Sequence, residues 1–328
     1  MEEKKETNED KIQSNPGQNK EKISSKLGQS KEKLETKAAR FHNKYYKHLL
    51  LIPIIIFLFS FIYMGIFYHN NGDFVYKDIS LTGGTSVTIY EKRPVEQVES
   101  DLLGKLEDID AREVYDFITR EQKAVIIETK SDAQTTRAVL EAYLGYELNE
   151  ENSSFEFTGS SLSSSFFKQL MIAVIIAFFL MAIVVFILFR TFVPSMAVII
   201  AAFADIFMTL AVFNLFGMKL SSAGIVAFLM LIGYSVDTDI LLTNRVLKRH
   251  EESLNRRIFG AFKTGMTMTL TSLLAVAFAL IIVGSFSSVL SQIFTILVIG
   301  LTFDIINTWI TNVSIIKWYV LNKEKNEN

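Results

Sequence analysis

Six long apolar runs dominate the chain, and polar sequence separates them unevenly. The first, "LLLIPIIIFLFSFIYMGIFY", covers residues 49–68, and five more follow at about 170–189, 194–216, 222–242, 265–283 and 289–316. A helix needs about 20 mainly apolar residues to cross the hydrocarbon layer, and each run is long enough or nearly so. The pattern therefore predicts six spans in a 1 + 5 arrangement. The first run is too long and too deep in the chain for a signal-peptide core, and no small-residue cleavage site follows it, so it is expected to remain as an anchor.

Between the first and second spans the period changes. "ISLTGGTSVTIYE" alternates like a strand, and "PVEQVESDLLGKLEDI" opens with Pro94 at a helix start and places Val95, Val98, Leu102 and Leu106 on one face. "REVYDFITR" and "QKAVIIETK" read as strands paired around Glu121 and Gln122. A helix beginning on a capping Asp132 and a last strand in "SSFEFTGSS" complete the order βαββαβ. That order predicts a small α+β ferredoxin-like sandwich, four strands with two helices on one face. The expected divisions are a disordered tail over 1–44, the first membrane helix over 45–69, the small domain over 70–167, helices two to six over 168–318, and a short tail over 319–328.

Composition sharpens this picture. The 328 residues are 50% hydrophobic with a net charge of −2, a near-neutral sum that conceals strong local bias. The first 44 residues are rich in Lys, Glu, Gln, Asn and Ser and have almost nothing to bury. Cysteine is absent, which removes disulfides, thiolate chemistry and Cys-ligated metal. Lys and Arg cluster at alternate loops: Lys31 to Lys47 before the first span, Arg190, then Arg245 to Lys263, then Lys317 to Lys325. The excess of cations on one side predicts that both termini are cytoplasmic and that 70–167 lies outside. The small domain is acidic, through Glu96, Glu99, Asp101, Glu107, Asp108, Asp110 and Glu113, so nucleic acid is excluded as a partner and basic or weakly structured polypeptide is favoured.

Within the domain, Gly83, Gly84 and Thr85 lack the lysine and spacing of a phosphate-binding loop, so the glycines are read as a bulge or a close chain approach. Four carboxylates then stand out because they occupy membrane-quality sequence. Asp205 and Asp304 fall at or close to the middle of their spans, and Asp237 lies about 7–8 Å past the centre of the fourth, with Asp239 shallower. A charged Asp at mid-bilayer costs about 2.5–3.5 kcal/mol on insertion scales, so such groups face a protein interior or a wet cavity, paired or protonated. Asp237 and Asp239 are about 200° apart around a helix, which sends one inward and the other to the rim or to a neighbouring chain. Beside them Gly233 permits tight contact or a local break next to Tyr234, and Ser235 and Thr238 can satisfy freed backbone groups. Thr264, Thr267 and Thr271 share a stripe on the fifth span and, with Asn307 and Asn312 on the sixth, are expected as interhelix hydrogen-bond partners. The threonines and asparagines read as structural glue; the acids read as working or subunit-coupling groups.

The stretch "GYSVDTDILLTNRVLKR", with "LTGGTSVTIY", "ADIFMTLAVFNLFGMKLS", "KTGMTMTLTSLLAVAFAL" and "FDIINTWITNVSIIKWY", resembles the SecF family of protein-export membrane subunits in its archaeal form. The resemblance runs from about Tyr45 to Tyr319 and places the chain in the SecD/SecF branch of the RND superfamily. It implies a half-transporter that pairs with a SecD-like subunit beside the SecYEG channel and assists exported polypeptide chains across the lipid bilayer, with no enzymatic site and no cofactor. In bacterial relatives it implies a proton gradient that drives the outer domains. Carried over by motif, Asp237 and Asp239 belong to the fourth-span signature and Asp205 to an acid of the third. The bacterial pattern GYS-x-N-D-T stands here as GYS-V-D-T-D, one residue displaced, and Thr264 beside Lys263 occupies the place of a fifth-span arginine. Six helices with inward acids also predict a membrane partner that completes the bundle, with Asp205, Asp237 and Asp304 lining the seam. Two other classes fit less well. A small-molecule or lipid exporter of the RND type would carry twice the spans, and a purely structural scaffold would not need the acids.

Overall fold

A computed structural model describes residues 48–116, 119, 121–248, 252–284 and 287–327. The 1–44 tail, with Lys31 to Lys47, lies outside the described residues. The chain divides into a helical bundle and a small sheet domain inserted after the first helix. The elements in order are α1 (Leu51–Asn71), a single turn α2 (Ile79–Thr82), β1 (Gly84–Ile89), α3 (Val95–Leu102), β2 (Asp110–Tyr115), β3 (Gln122–Thr129), α4 (Ala133–Leu144) and β4 (Ser153–Thr158). Then come α5 (Ser160–Phe189), α6 (Phe192–Leu215), α7 (Ser222–Lys248), α8 (Leu254–Val283) and α9 (Ser288–Ile306). A π-helical turn (Asn307–Asn312) joins α9 to α10 (Val313–Glu327), making one long rod.

Six of these helices are long and apolar enough to cross a membrane. They differ in how much of themselves they bury. Over half of the apolar windows of α6 and α7 is buried within the chain, against 11% for α5 and 6% for α8. α6 and α7 are therefore the centre of the bundle. Helix α1 rests on α6 through tilted ring contacts of Phe57 and Phe61 with Phe203 and Phe207, at 5.6–6.4 Å. Small residues let the rods close on one another: a methyl group at Gly265 would sit 2.5 Å from the Trp309 ring, and one at Gly300 would sit 2.4 Å from Leu231.

The small domain is a four-stranded antiparallel sheet in the order β2-β3-β1-β4, the ferredoxin-like arrangement expected from βαββαβ. Alternation decides its two faces. Val87, Ile89, Ala111, Val125 and Ile127 turn to one side and meet Val98, Leu102 and Leu140 from the two helices. Ser86, Asp110, Arg112 and Glu128 turn to the other. Asp132 caps α4, accepting from the Gln134 and Thr135 amides at 2.9 and 3.0 Å.

One detail differs from the sequence reading. The alternation in "ISLTGG" does not begin the first strand; Ile79–Thr82 instead form a helical turn capped by Asp78, whose carboxylate accepts from the Ser80 amide. The strand begins at Gly84. Gly83 and Gly84 take φ of +83° and +144°, where a side chain is strained, and their Cβ atoms would fall 2.5 Å from Ser160 Cα and 2.3 Å from Thr129 O. The pair is thus the point where β1 passes between β3 and the start of α5. Thr85 follows, fully buried, donating to Ser131 O at 2.8 Å.

Candidate functional site

Small residues such as Ala201, Ala202 and Gly300 let α6, α7 and the α9–α10 rod pack closely, and each brings one fully buried aspartate to the meeting point: Asp205, Asp239 and Asp304. Their partners come from the neighbouring helices. Asp205 accepts from Ser235 Oγ at 2.5 Å and from Asn307 Nδ2 at 2.7 Å. Asp239 accepts from Asn312 Nδ2 at 2.6 Å, and Thr308 Oγ1 lies 2.8 Å from the same Oδ1. Thr308 Oγ1 is also 3.1 Å from Asp304 Oδ1. Asp239 Oδ2, Asp304 Oδ2 and Asn312 Oδ1 are buried with no hydrogen-bond partner among the described residues.

A hydroxyl has a single hydrogen, so Thr308 can donate to only one of the two carboxylates it touches. Both contacts are hydrogen bonds at once only when one carboxyl carries a proton. None of the ion pairs formed among the described residues involves these three acids. Among those residues no cluster of His, Cys, Asp and Glu is spaced to hold a metal ion. Buried charges this close without a cation are costly, which leaves a group suited to holding and releasing protons. The π-turn supplies three of its six residues to this cluster, and such turns are rare and recur at functional sites.

The other residues singled out from the sequence are placed differently. Asp237 is exposed, on the opposite side of α7 from Asp239, in a shallow groove with Leu241, Asn244 and Arg245. The seam expected to hold Asp205, Asp237 and Asp304 is therefore corrected: Asp205 and Asp304 are enclosed within this chain with Asp239, and Asp237 faces out. Gly233 meets nothing within 4 Å and α7 is unbroken there; the irregular backbone sits instead at Asn307–Asn312. Tyr234 is 43% exposed. The Thr264, Thr267 and Thr271 hydroxyls bond carbonyls one turn back in their own helix, at Gly260, Lys263 and Thr267. The interhelix bond is made by Thr269, 3.3 Å from Thr238.

A second group, missed in the sequence, joins the small sheet domain to the helical bundle. The α6–α7 loop is bound to the domain's root by Leu220 N to Tyr76 O at 2.6 Å, Asp78 N to Leu220 O at 2.9 Å and Ser222 N to Ser80 Oγ at 3.1 Å. Asn214 donates to Phe74 O at 2.6 Å, and Gln292 donates to Lys219 O at 2.6 Å. Lys219 reaches Asp108 and Asp110 at 3.6 and 3.4 Å, on the polar side of the sheet. There Arg112 pairs with Glu128, whose carboxyl is raised to about 6 by burial first and the nearby Asp78 second, against the pull of Arg112. Hydrogen bonding to distant carbonyls leaves no signature in a sequence, which is why this junction was not foreseen.

Comparison with known proteins bears on these features. The family model for the protein export membrane protein SecD/SecF, C-terminal, matches residues 139–322. The protein-export membrane protein SecF of Methanocaldococcus jannaschii is 39% identical over 284 residues, covering 84% of this chain and 96% of that one. The SecF proteins of Methanothermobacter thermautotrophicus and Pyrococcus furiosus are 37% and 33% identical, over 84% and 86% of this chain and 93% of each relative. Among solved structures, SecDF from Thermus thermophilus, a translocon-associated membrane protein, superposes with a TM-score of 0.67 at 19% identity. The match covers 84% of this chain but 38% of that one, so the present chain spans well under half of the SecDF polypeptide. A super-membrane-facing form of SecDF gives a TM-score of 0.55.

Proposed function

This chain belongs to the SecF family of protein-export membrane proteins, and from that premise we propose how it works as an accessory subunit of the Sec export machinery. The role is that of a membrane subunit, not of an enzyme. The buried cluster of Asp205, Asp239 and Asp304 takes up and releases protons, and α6 and α7 pass the resulting shift to the outer domain. The observation that carries this reading is that one pair of helices holds both ends of the device. Asp205 and Asp239 lie in α6 and α7, and the loop joining those helices is bonded to the root of the outer domain.

The outer domain is placed on the extracytoplasmic side, where it acts on the emerging polypeptide beside the SecYEG channel, and both termini are cytoplasmic. Arg245, Lys248, Arg256 and Arg257, at the bundle end away from the domain, support this orientation. The SecD-type subunit docks along the exposed face of α7 carrying Met230, Gly233, Tyr234 and Asp237, which follow the i, i+3, i+4, i+7 spacing of one helical stripe. A carboxylate on a lipid-facing helix is expensive, which favours a protein partner over lipid at Asp237. The lightly buried α5 and α8 meet lipid or that same partner.

Export of a pulse-labelled secreted protein is the test, in cells whose only copy carries Asp205→Asn or Asp237→Asn, with membrane abundance and co-purification of the SecD-type subunit followed in the same samples. Asp205→Asn is expected to slow export by about tenfold or more, the factor that ~1.4 kcal/mol on a barrier produces, with the complex intact. Asp237→Asn is expected to lose the partner. Normal export with Asp205→Asn would remove the proton role and leave a scaffold.

A further inference from the structure

At the bundle end remote from the outer domain, the last residues of α5 and α7, the first turn of α8 and the side of α10 enclose a cavity of about 300 Å³. Among the described residues its lining combines three cations, Lys248, Arg257 and Lys323, with one carboxylate, Glu324, over an apolar floor that includes Phe189 and Val320. Arg257 is 6% exposed; its guanidinium is held by one bond, from a terminal NH to Val246 O at 2.6 Å, and its Nε has no partner among the described residues. Thr191 Oγ1, also on the lining, is buried and equally without a partner. Two orphaned donors and a surplus of positive charge around one cavity describe a site for an anion rich in acceptor oxygens.

Depth narrows the choice. α5 and α8 have 30 residues each, about 45 Å of helix, which matches the 40–45 Å of a bilayer taken with its headgroup layers. Thr191 follows the end of α5 and Arg257 lies in the first turn of α8, so both fall at the level of lipid phosphates. Basic pockets between helices at this level bind anionic headgroups, and the apolar floor suits the glycerol and first methylenes beneath a phosphate.

We propose that this cavity is a binding site for a phosphate ester, the headgroup of an anionic glycerophospholipid, with Arg257 and Thr191 donating to the phosphate and Lys248 and Lys323 neutralising it. A bound lipid would tie together the inner ends of α5, α7, α8 and α10. The site uses none of the buried aspartates and stands independently of their role.

The test is native mass spectrometry of the purified, delipidated full chain, titrated with phosphatidylglycerol or phosphatidylcholine, with inorganic phosphate as competitor. Phosphatidylglycerol is expected to be retained about tenfold more than phosphatidylcholine. The double substitution Lys248→Gln with Lys323→Gln is expected to lower that retention at least about tenfold, since two basic residues at a membrane surface together contribute more than one tenfold step. Arg257→Gln should do the same, and because Arg257 also bonds Val246, the double substitution of the two outer lysines keeps the test valid if that variant folds poorly. Millimolar inorganic phosphate should leave the lipid bound; displacement would make soluble phosphate the occupant and overturn the lipid assignment. Equal retention of both lipids, or retention unchanged in the lysine variant, would overturn the site itself.

Discussion

Thr308 has one hydroxyl hydrogen and lies 2.8 Å from Asp239 and 3.1 Å from Asp304, so it can donate to only one of them and, under the proposed proton role, accepts from the other. Thr308→Val keeps the shape and removes the hydroxyl. Loss of one partner from a buried polar group costs about 1–3 kcal/mol, so the variant is expected to melt several degrees lower and to lose export while still assembling with its partner. A variant with wild-type melting and export would show that the hydroxyl does not link the acids. The acids themselves were legible in the sequence, because a carboxylate deep in an apolar run has to be explained. Thr308 was not: a lone threonine in a membrane helix has many bland uses, and only its spacing of four from Asp304 hinted at a shared face. Nor could periodicity decide between Asp237 and Asp239. They point in opposite directions around α7, and it took the neighbouring helices to show which direction is inward.

Among the elements, the sheet domain followed closely from its alternation, since one buried face fixes strand register and two helices, one opening at Pro94 and one capped by Asp132, supply the cover. Its contact with the bundle did not follow, because Lys219, Asp108 and Asp110 come from distant parts of the chain. Two predictions belong here. Gly84→Ala puts a methyl group 2.3 Å from Thr129 O at a φ of +144°, and it is expected to destabilise the domain by about 2 kcal/mol or more, read as faster amide exchange in β1 and β3. Unchanged exchange would mean that the strands yield there. Glu128 titrates at about 6 in the folded protein against an ordinary 4.5, so the folded state binds its proton more tightly than the unfolded chain. Its contribution to stability is present below about pH 4.5 and is lost as pH rises through 6, about 2 kcal/mol in all. Protection of β3 should therefore fall between pH 4.5 and 7, and Glu128→Gln should flatten that profile. An identical slope in the variant would place the titrating group elsewhere.

For the molecule as a whole, six spans in a 1 + 5 order were legible because hydrocarbon thickness leaves a helix few lengths to choose from, although α5, α8 and the α9–α10 rod run past their apolar runs into the interfaces. The junction between bundle and sheet domain was not legible, for it resides in backbone bonds such as Asp78 N to Leu220 O, and the proposed coupling runs through it. That coupling is the central claim, and its direct measurement is a distance. The chain has no cysteine, so Glu150→Cys on the outer domain and Phe216→Cys at the α6–α7 loop give a clean pair of label sites. With the complex in liposomes, spin-label distances between the two would be compared with and without an imposed proton gradient, in the wild-type background and with Asp239→Asn. The account predicts a distance distribution that shifts with the gradient in the wild-type background and stays fixed with Asp239→Asn. The same shift in both, or none in either, would contradict it.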